Sequence, residues 1–403
     1  MLSKNKDKYQ RPQAKALLQR LLESRNFIQI IAGPRQVGKT TLINQVAEQL
    51  DCPVRYVSAD EPSIKGPEWV EQQWEIARLE CAAEDQNGSI LVIDEIQKIP
   101  NWSETVKRLW DADSKSGTGL KVVLLGSAPL LIKKGLTESL TGRFEITHLP
   151  HWSYSEMNQA FGLSVDEYIF FGAYPGAVGL ISDFKRWSDY IRNSLIETTI
   201  SRDILLITRV DKPALMRKLF DLGCIYSSQI LSYTKMLGQL HDAGNTTTLS
   251  HYLELLSGAG MITGLQKYSK GDLQRRGSSP KLQVLNTALM TAQVGLNLDE
   301  AQAERDYWGR LVESAIGAHL VNATRSGSLE LYYWRDKNRE VDFVLKQNKK
   351  VVAIEVKSGR RRDSLRGMSA FSNAFQTTRK LLVGGDGIPV EEFLAKPVDD
   401  WLK

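Results

Sequence analysis

Residues 28–42, IQIIAGPRQVGKTTL, contain the pattern GxxxxGK[ST], whose residue types suit the binding of nucleotide phosphates. Glycines let backbone N–H groups wrap a phosphate, a lysine reaches the β- and γ-phosphates, and a hydroxyl binds Mg²⁺. The positive end of the helix that follows adds to the same anion site. The segment therefore predicts binding of ATP and Mg²⁺. The predicted nucleotide-binding residues are Gly33, Pro34, Arg35, Gln36, Val37, Gly38, Lys39, Thr40 and Thr41.

Two adjacent carboxylates, Asp94 and Glu95, follow the apolar run at residues 90–93. Such a run is typical of a strand buried on both faces, and open α/β sheets bind ligands at the carboxyl ends of their strands. Behind a phosphate-binding loop, the first acid is predicted to hold Mg²⁺ together with Thr40. The second is predicted to orient and deprotonate the attacking water. The alternative is a pair of acids that cap the next helix. The two motifs together predict hydrolysis as well as binding.

Two further side chains are candidates for the same reaction. Ser127 follows the apolar run KVVLLG at residues 121–126, and its hydroxyl is predicted to reach the γ-phosphate or the attacking water. Arg143 precedes the last strand pattern of this region, at residues 144–149. It is predicted to act as an arginine finger on a neighbouring subunit's nucleotide. A surface arginine in a solvated turn is the alternative.

A second group of chemically active residues lies near the carboxyl terminus. Glu355 and Lys357 point to one face of a predicted strand, and with Asp342 they provide two carboxylates and an ammonium. Such a set is able to hold Mg²⁺ and activate water against a phosphodiester. A surface ion pair is the alternative for the Glu-x-Lys pattern. The basic run that follows is predicted to track a nucleic-acid backbone, or else to form a solvated turn. Its arginines are Arg360, Arg361 and Arg362.

The composition limits the class of protein that carries these residues. The chain has 403 residues, 42% of them hydrophobic and 25% charged, and a net charge of +5, which is ordinary for a soluble protein of two or three domains. Three scattered cysteines without a CxxC pattern favour neither a disulfide framework nor a zinc site. No apolar run approaches the roughly 18 residues that span a bilayer. A cytoplasmic location is therefore expected.

The elements that position the first site form an α/β pattern over residues 1–150. Strand patterns at 28–32, 54–57, 90–93, 121–126 and 144–149 alternate with amphipathic helical patterns, which predicts a parallel P-loop sheet. Aromatic residues and helical periodicity at 151–208 predict a small helical lid after this core.

Residues 209–285 have the outline of a winged helix-turn-helix. Helical patterns at 213–222, 232–240 and 245–256 precede strand patterns at 261–263 and 281–284. The predicted recognition helix has no Lys or Arg, so the basic loop residues are predicted to contact DNA phosphates without sequence specificity. The alternative is a domain that only packs between its neighbours. The loop residues are Lys267, Lys270, Arg275, Arg276 and Lys281.

The motifs GPRQVGKTTL, ILVIDEIQKIPNW, GSAPLL and SLTGRFEITHLP resemble, in wording and order, prokaryotic AAA+-type ATPases with a C-terminal domain of unknown function, DUF4143. The resemblance covers most of the chain. It implies an additional-strand (ASCE) core in which the strand before Ser127 lies between the two motif strands. It also implies a homo-oligomer, such as a hexameric ring. Gly176 departs from the acidic residue that relatives often have there.

DUF4143 domains look like distant members of the PD-(D/E)xK nuclease fold. The resemblance implies a restriction-endonuclease-like α/β domain at residues 286–403, with Glu313, Asp342, Glu355 and Lys357 at the nuclease positions. We therefore predict a Mg²⁺-dependent ATPase that binds DNA largely without sequence specificity and couples hydrolysis to remodelling of DNA, including branched DNA. Two alternatives remain open: an ATP-regulated endonuclease that uses the C-terminal site, and a nucleotide-switched protein scaffold without DNA activity.

Overall fold

A computed structural model describes residues 9–60, 66–83, 88–127, 139–205, 210–240, 245–269, 278–325, 327–357 and 365–403. The described residues form two compact units, one up to residue 149 and one from residue 150. None of the described helices has the length and apolar character needed to cross a membrane.

The first unit is built on five parallel strands: β1 (Ile28–Ala32), β2 (Val54–Ser58), β3 (Ile90–Asp94), β4 (Lys121–Gly126) and β5 (Phe144–His148). Their order in the sheet is β2-β3-β4-β1-β5. All five residues of β1 and of β3 are buried, as continuous apolar runs predict for strands covered on both faces. The predicted parallel core is confirmed, and so is the placement of β4 between the two motif strands.

Helices cover both faces of this sheet. They are α1 (Gln13–Leu22), α2 (Lys39–Ala47), α3 (Pro67–Ala83) and α4 (Trp102–Ser116), with a 3₁₀ turn at Ile96–Lys98. On α1, Ala14, Leu17 and Leu21 are buried at helical spacing. They join α2 in one core, whereas Trp74 of α3 and Trp110 of α4 belong to the core on the opposite face. The sheet is thereby held rigid beneath the loops at its carboxyl edge.

The second unit begins with helices α5 (Tyr154–Phe161), α6 (Val165–Phe171) and α7 (Phe184–Asp189). Ser153 and Ser164 form capping boxes with Glu156 and Glu167, which fixes where α5 and α6 begin. The helix of α7 continues through π-helical segments at Tyr190–Ile196 and Thr199–Ile204. These helices cluster with the rest of the second unit, so the boundary predicted at residues 208 and 209 does not separate two compact bodies.

Further helices of this unit are α8 (Pro213–Ile225), α9 (Tyr233–Gln239), α10 (Thr246–Gly258), α11 (Ala288–Val294), α12 (Leu298–Ala303), α13 (Arg305–Thr324), α14 (Leu365–Ala374) and α15 (Val390–Ala395). Its strands are β6 (Ile262–Lys267), β7 (Lys281–Val284), β8 (Glu330–Asp336), β9 (Arg339–Gln347), β10 (Lys350–Val356) and β11 (Arg379–Val383).

The six strands form one sheet in the order β11-β10-β9-β8-β6-β7. β6 pairs antiparallel with β7 and parallel with β8, where Gln266 and Lys267 lie opposite Tyr332 and Tyr333. The two strands predicted as the wing of a separate domain therefore belong to the sheet of the C-terminal strands. Hydrogen bonds of one sheet thus cross the domain boundary predicted at residues 285 and 286.

Candidate nucleotide-binding site

The loop between β1 and α2 has a backbone that only certain residues tolerate. A Cβ atom on Gly33 would lie 2.2 Å from the carbonyl oxygen of Leu149, which follows the neighbouring strand β5. Gly38, immediately before α2, has a φ of 87°, in the left-handed region that favours glycine. A hydrogen bond from outside the loop also stabilises it, since the buried Arg11 donates to the carbonyl oxygen of Val37 at 3.2 Å. Sequence and fold together thus give the loop its fixed shape.

The ammonium group of Lys39 is held within this loop. Its Nζ donates to the carbonyl oxygens of Gly33 at 3.0 Å and Pro34 at 2.9 Å, and the side chain is buried. Both acceptors are neutral, so a phosphate would be a stronger partner for the same charge. Of the other predicted loop residues, Gln36, Thr40 and Thr41 are exposed, Arg35 is half-buried, and Pro34 and Val37 are buried.

Thr40 and Asp94 meet at the carboxyl edge of the sheet. The Thr40 hydroxyl donates to Asp94 Oδ2 at 3.1 Å, and the Tyr56 hydroxyl donates to the same oxygen. Asp94 Oδ1 accepts from the backbone N–H of Glu95 at 2.8 Å. Burial and the hydrogen bond to Asp94 raise the pKa of Tyr56 above its usual range, so Tyr56 remains a donor. Tyr56 lies on the neighbouring strand β2 and was not predicted.

Glu95, Ser127 and Gln97 form a hydrogen-bonded group beside this pair. Glu95 Oε2 accepts from Ser127 Oγ at 2.9 Å and from Gln97 Nε2 at 2.6 Å. Gln97 Nε2 also lies 3.2 Å from Ser127 Oγ. Two donors to one carboxylate oxygen fix the direction of the Glu95 side chain. Gln97 was not predicted from the sequence. The feature that could have indicated its role is its position as a polar residue in the turn that follows Asp94 and Glu95.

Arg143 lies in the first unit and is engaged within its own chain. Its Nε donates to Asp111 Oδ1 at 2.7 Å and its Nη2 to Asp111 Oδ2 at 3.1 Å, a two-pronged contact. About a third of each side chain is exposed. An action on a neighbouring subunit's nucleotide would require Arg143 to leave Asp111.

The residues predicted as a nuclease site lie in the second unit, and all four are described. Lys357 Nζ is 3.0 Å from Glu355 Oε1, and Asp342 Oδ2 accepts from the backbone N–H of Val356 at 2.8 Å. Burial and the charge of Asp342 raise the pKa of Glu355 to about 7, against the opposing effect of Lys357. In the described part of the chain, no three His, Cys, Asp or Glu side chains converge as they would around a metal ion.

Lys281 does not lie at the surface. It was predicted to contact DNA phosphates from a loop, but it is the first residue of β7 and its side chain is 0% exposed. Its Nζ lies 2.7 Å from Glu313 Oε1 and 3.2 Å from the carbonyl oxygen of Asp342. A fully buried ammonium paired in this way cannot reach a phosphate on the surface.

Of the other predicted DNA contacts, Lys267 is half-buried at the end of β6. On the helix predicted to read DNA, now α10, Thr246, Thr247, His251 and Glu254 are exposed. The remaining basic residues lie outside the described residues: Lys270, Arg275, Arg276, Arg360, Arg361 and Arg362.

The parallel sheet, its glycine-rich loop and the acids at its carboxyl edge define a P-loop protein of the AAA class. Comparison with protein families agrees. Residues 25–158 match the AAA domain, residues 162–300 match a domain of unknown function, DUF8612, and residues 308–392 match DUF4143. The chain therefore carries an AAA domain and a C-terminal DUF4143 domain, which confirms the resemblance drawn from the motifs.

Sequence matches to two curated proteins cover most of this chain. The chain is 25% identical over 356 residues to the uncharacterized protein Rv2008c of Mycobacterium tuberculosis, a match that covers 86% of this chain and 74% of the relative. It is 23% identical over 353 residues to the uncharacterized protein MJ1544 of Methanocaldococcus jannaschii, covering 82% and 74%. A Walker-type ATPase of Pyrococcus abyssi, PABY2304, aligns with 70% of this chain and 95% of its own, at 14% identity and a TM-score of 0.44.

Proposed function

We propose that this protein is a Mg²⁺-dependent ATPase that binds DNA largely without sequence specificity and couples hydrolysis to the remodelling of DNA, including branched DNA. The observation that carries the ATPase part is the meeting of two groups at one sheet edge. The Thr40 hydroxyl lies 3.1 Å from Asp94 Oδ2, and the Ser127 hydroxyl lies 2.9 Å from Glu95 Oε2.

Each group has a distinct task in the proposed reaction. Lys39 binds the β- and γ-phosphates after exchanging its loop carbonyls for phosphate oxygens. The Thr40 hydroxyl and the Asp94 carboxylate are oxygen ligands of the kind Mg²⁺ prefers, and they already lie in contact. When bound, Mg²⁺ neutralises charge on the phosphate oxygens. Glu95 accepts the proton of the attacking water, while Ser127 and Gln97 hold Glu95 in place.

The DNA part of the proposal has separate support. The order of α8, α9, α10, β6 and β7 follows that of a winged helix-turn-helix. The exposed face of α10 lacks Lys and Arg, which favours contacts to the DNA backbone from elsewhere over base readout. Assembly as a homo-oligomeric ring, with Arg143 acting in trans, is part of the same proposal.

The test is the steady-state rate of ATP hydrolysis with Mg²⁺, with and without branched duplex DNA. Glu95→Gln is the blank, and Lys39→Ala tests dependence on the phosphate-binding loop. We expect hydrolysis that both variants abolish and that DNA stimulates several-fold. A rate that survives in Glu95→Gln would reject the assignment of the base.

A protein scaffold is the second candidate function. The observation that favours it is the surface of α10, where Thr246, Thr247, His251 and Glu254 offer hydrogen bonds without positive charge. If the protein hydrolyses ATP without DNA and DNA leaves this rate unchanged, the scaffold becomes the favoured function.

A further inference from the structure

A lysine side chain lies among three carboxylates, two of which, Glu313 and Asp342, occupy positions that the nuclease resemblance assigns to the active site. Glu313 comes from α13, Glu340 and Asp342 come from β9, and Lys281 begins β7. Lys281 Nζ lies 2.7 Å from Glu313 Oε1, 3.6 Å from Asp342 Oδ1 and 3.7 Å from Glu340 Oε1. We name these four residues the Lys281 cluster.

The charge of Lys281 is retained despite complete burial. Burial alone would lower its pKa, but Glu313, Asp342 and Glu340 together raise the pKa above the ordinary lysine value. The ammonium also lies 4.8 Å from the centre of the Phe343 ring, which further favours a cation. A buried charge of this kind is stable only when it is paired, and here three carboxylates share it.

A metal ion and this ammonium compete for the same position. Mg²⁺ binds oxygen at about 2.0–2.1 Å and requires a set of ligands free to surround it. The Glu313 carboxylate already accepts a hydrogen bond from the ammonium at 2.7 Å, and Asp342 Oδ1 lies 3.6 Å from the same ammonium. A divalent ion between these two carboxylates would lie against a positive group that is 0% exposed and cannot swing into solvent. The residues present therefore do not fit a metal ion bridging Glu313 and Asp342.

We infer that Lys281 is the built-in cation of this cluster, so that the C-terminal domain does not cleave DNA through a metal held by Glu313 and Asp342. The carboxylates serve to bind the lysine and to join β7, α13 and β9. Removal of the amine would leave them as an anionic site open to a divalent cation. Glu313 also lines a cavity of about 520 Å³ together with Glu304, Asp306 and Arg310.

The experiment counts Mn²⁺ ions bound to the full chain without nucleotide, by electron paramagnetic resonance. Any Mn²⁺ at the first unit contributes equally to each protein and cancels in the comparison. Wild type and Asp342→Asn should bind the same number of ions. Lys281→Ala should gain one, and Lys281→Ala combined with Asp342→Asn should lose it again. Lys281→Arg, which keeps the charge, is the matched control and should gain none.

Thermal melting gives a second readout on the same proteins. Mn²⁺ in excess over its Kd should raise the Tm of Lys281→Ala by about 5 °C more than that of wild type. If Lys281→Ala folds and gains no ion, the inference is wrong. If Lys281→Ala does not fold, the number of Mn²⁺ ions bound by wild type and by Asp342→Asn tests the inference. An ion lost in both Asp342→Asn and Glu313→Gln, or Mg²⁺-dependent DNA cleavage by wild type that each of these variants abolishes, would overturn the inference.

Discussion

The side chain of Gln97 connects the two groups that are proposed to handle the attacking water. Its amide donates to Glu95 at 2.6 Å and approaches Ser127 at 3.2 Å, and it is buried. A hydrogen bond to a charged group typically contributes about 1.5–3 kcal/mol. Gln97 is thus a positioning residue, since its proposed effect on the reaction passes through Glu95.

We expect Gln97→Leu to lower kcat for ATP hydrolysis about tenfold, because one lost hydrogen bond to a carboxylate corresponds to roughly that factor. The Kd for ATP should stay unchanged, because the hydrogen bonds of Gln97 go to Glu95 and Ser127. Gln49→Leu, at an exposed position of the same unit, is the control and should change neither constant. A weakened Kd with an unchanged kcat would assign Gln97 to binding instead.

At the scale of single residues, the sequence predicts site residues that belong to a local motif. It does not predict contacts that depend on the register between strands. Lys39 and Thr40 are adjacent in the chain, and so are Asp94 and Glu95, so a spacing pattern finds both pairs. Tyr56 meets Asp94 because β2 and β3 run parallel with Ser58 opposite Asp94. No local pattern contains that register, and the contact was therefore not predictable.

Strands β1 and β5 pair up to the point where the phosphate-binding loop begins. Leu149 N–H donates to the carbonyl oxygen of Ala32 at 2.9 Å, which places the Leu149 backbone against Gly33. A methyl group on Gly33 would meet a backbone oxygen at 2.2 Å, and neither strand can move without loss of its ladder.

We therefore expect Gly33→Ala to destabilise the first unit by about 1–3 kcal/mol, the usual cost of overpacking, and to weaken ATP binding with it. Thermal melting and ATP titration measure the two effects. Gly119→Ala is the matched control in the same unit. A Cβ there meets its nearest atom at 3.9 Å, so that variant should be neutral. Equal melting temperatures of the two variants would contradict the packing argument.

Helix α13 contains a histidine whose burial makes stability depend on pH. Burial lowers the pKa of His319 from 6.5 to about 4, and its Nε2 has no hydrogen-bond partner among the described residues. Below pH 6.5 the unfolded chain binds a proton that the folded chain refuses until about pH 4. The free energy of unfolding therefore decreases by at most about 3 kcal/mol as the pH falls from 6.5 to about 4.

We expect this loss to be absent in His319→Phe, because the ring of the variant does not titrate. Other groups titrate alike in both proteins, so the quantity to follow is the difference in urea-unfolding free energy between wild type and variant, from pH 7 to pH 4.5. Wild type should become less stable relative to the variant as the pH falls. A difference that stays constant over this range would mean that His319 is protonated in the folded state.

The elements of the second unit were largely predictable, whereas the environment of their side chains was not. The helical patterns at 213–222, 232–240 and 245–256 correspond to α8, α9 and α10, and the strand predicted to carry Glu355 is β10. Lys281 was assigned to a basic loop because lysine is usually exposed. Its burial depends on Glu313, Glu340 and Asp342, which are distant in the chain and meet it only in the folded sheet.

On the scale of the whole molecule, the sheet of the second unit determines which cuts in the chain are tolerated. β6 and β7 precede residue 285, and β8–β11 follow it, yet all six strands share one sheet. Hydrophobic periodicity identifies strands but not their order, so a hairpin next to three helices was interpreted as a separate wing. The first unit is different, because its five strands and both of its cores lie within residues 9–149.

We therefore expect a fragment of residues 1–149 to fold by itself. Its parallel sheet keeps helices on both faces, and Lys39, Asp94, Glu95 and Ser127 all lie within it. The fragment should melt cooperatively and bind ATP with a Kd within about threefold of that of the full chain, since few binding contacts are removed. Circular dichroism and ATP titration provide the two measurements. A fragment that is unfolded would show that the first unit depends on the rest of the chain.

A cut after residue 285 should have the opposite outcome. It separates β6 from β8 and leaves Lys281 without Glu313 and Asp342, so one piece keeps a buried cation without partners and the other keeps unpaired carboxylates. Neither the second-unit part of residues 1–285 nor residues 286–403 should melt cooperatively alone, whereas co-expression of the two fragments should restore one stable complex. A cooperative transition of the isolated fragment 286–403 would instead support the independent C-terminal domain that the sequence predicts. The shared sheet would then be an association of two folded bodies.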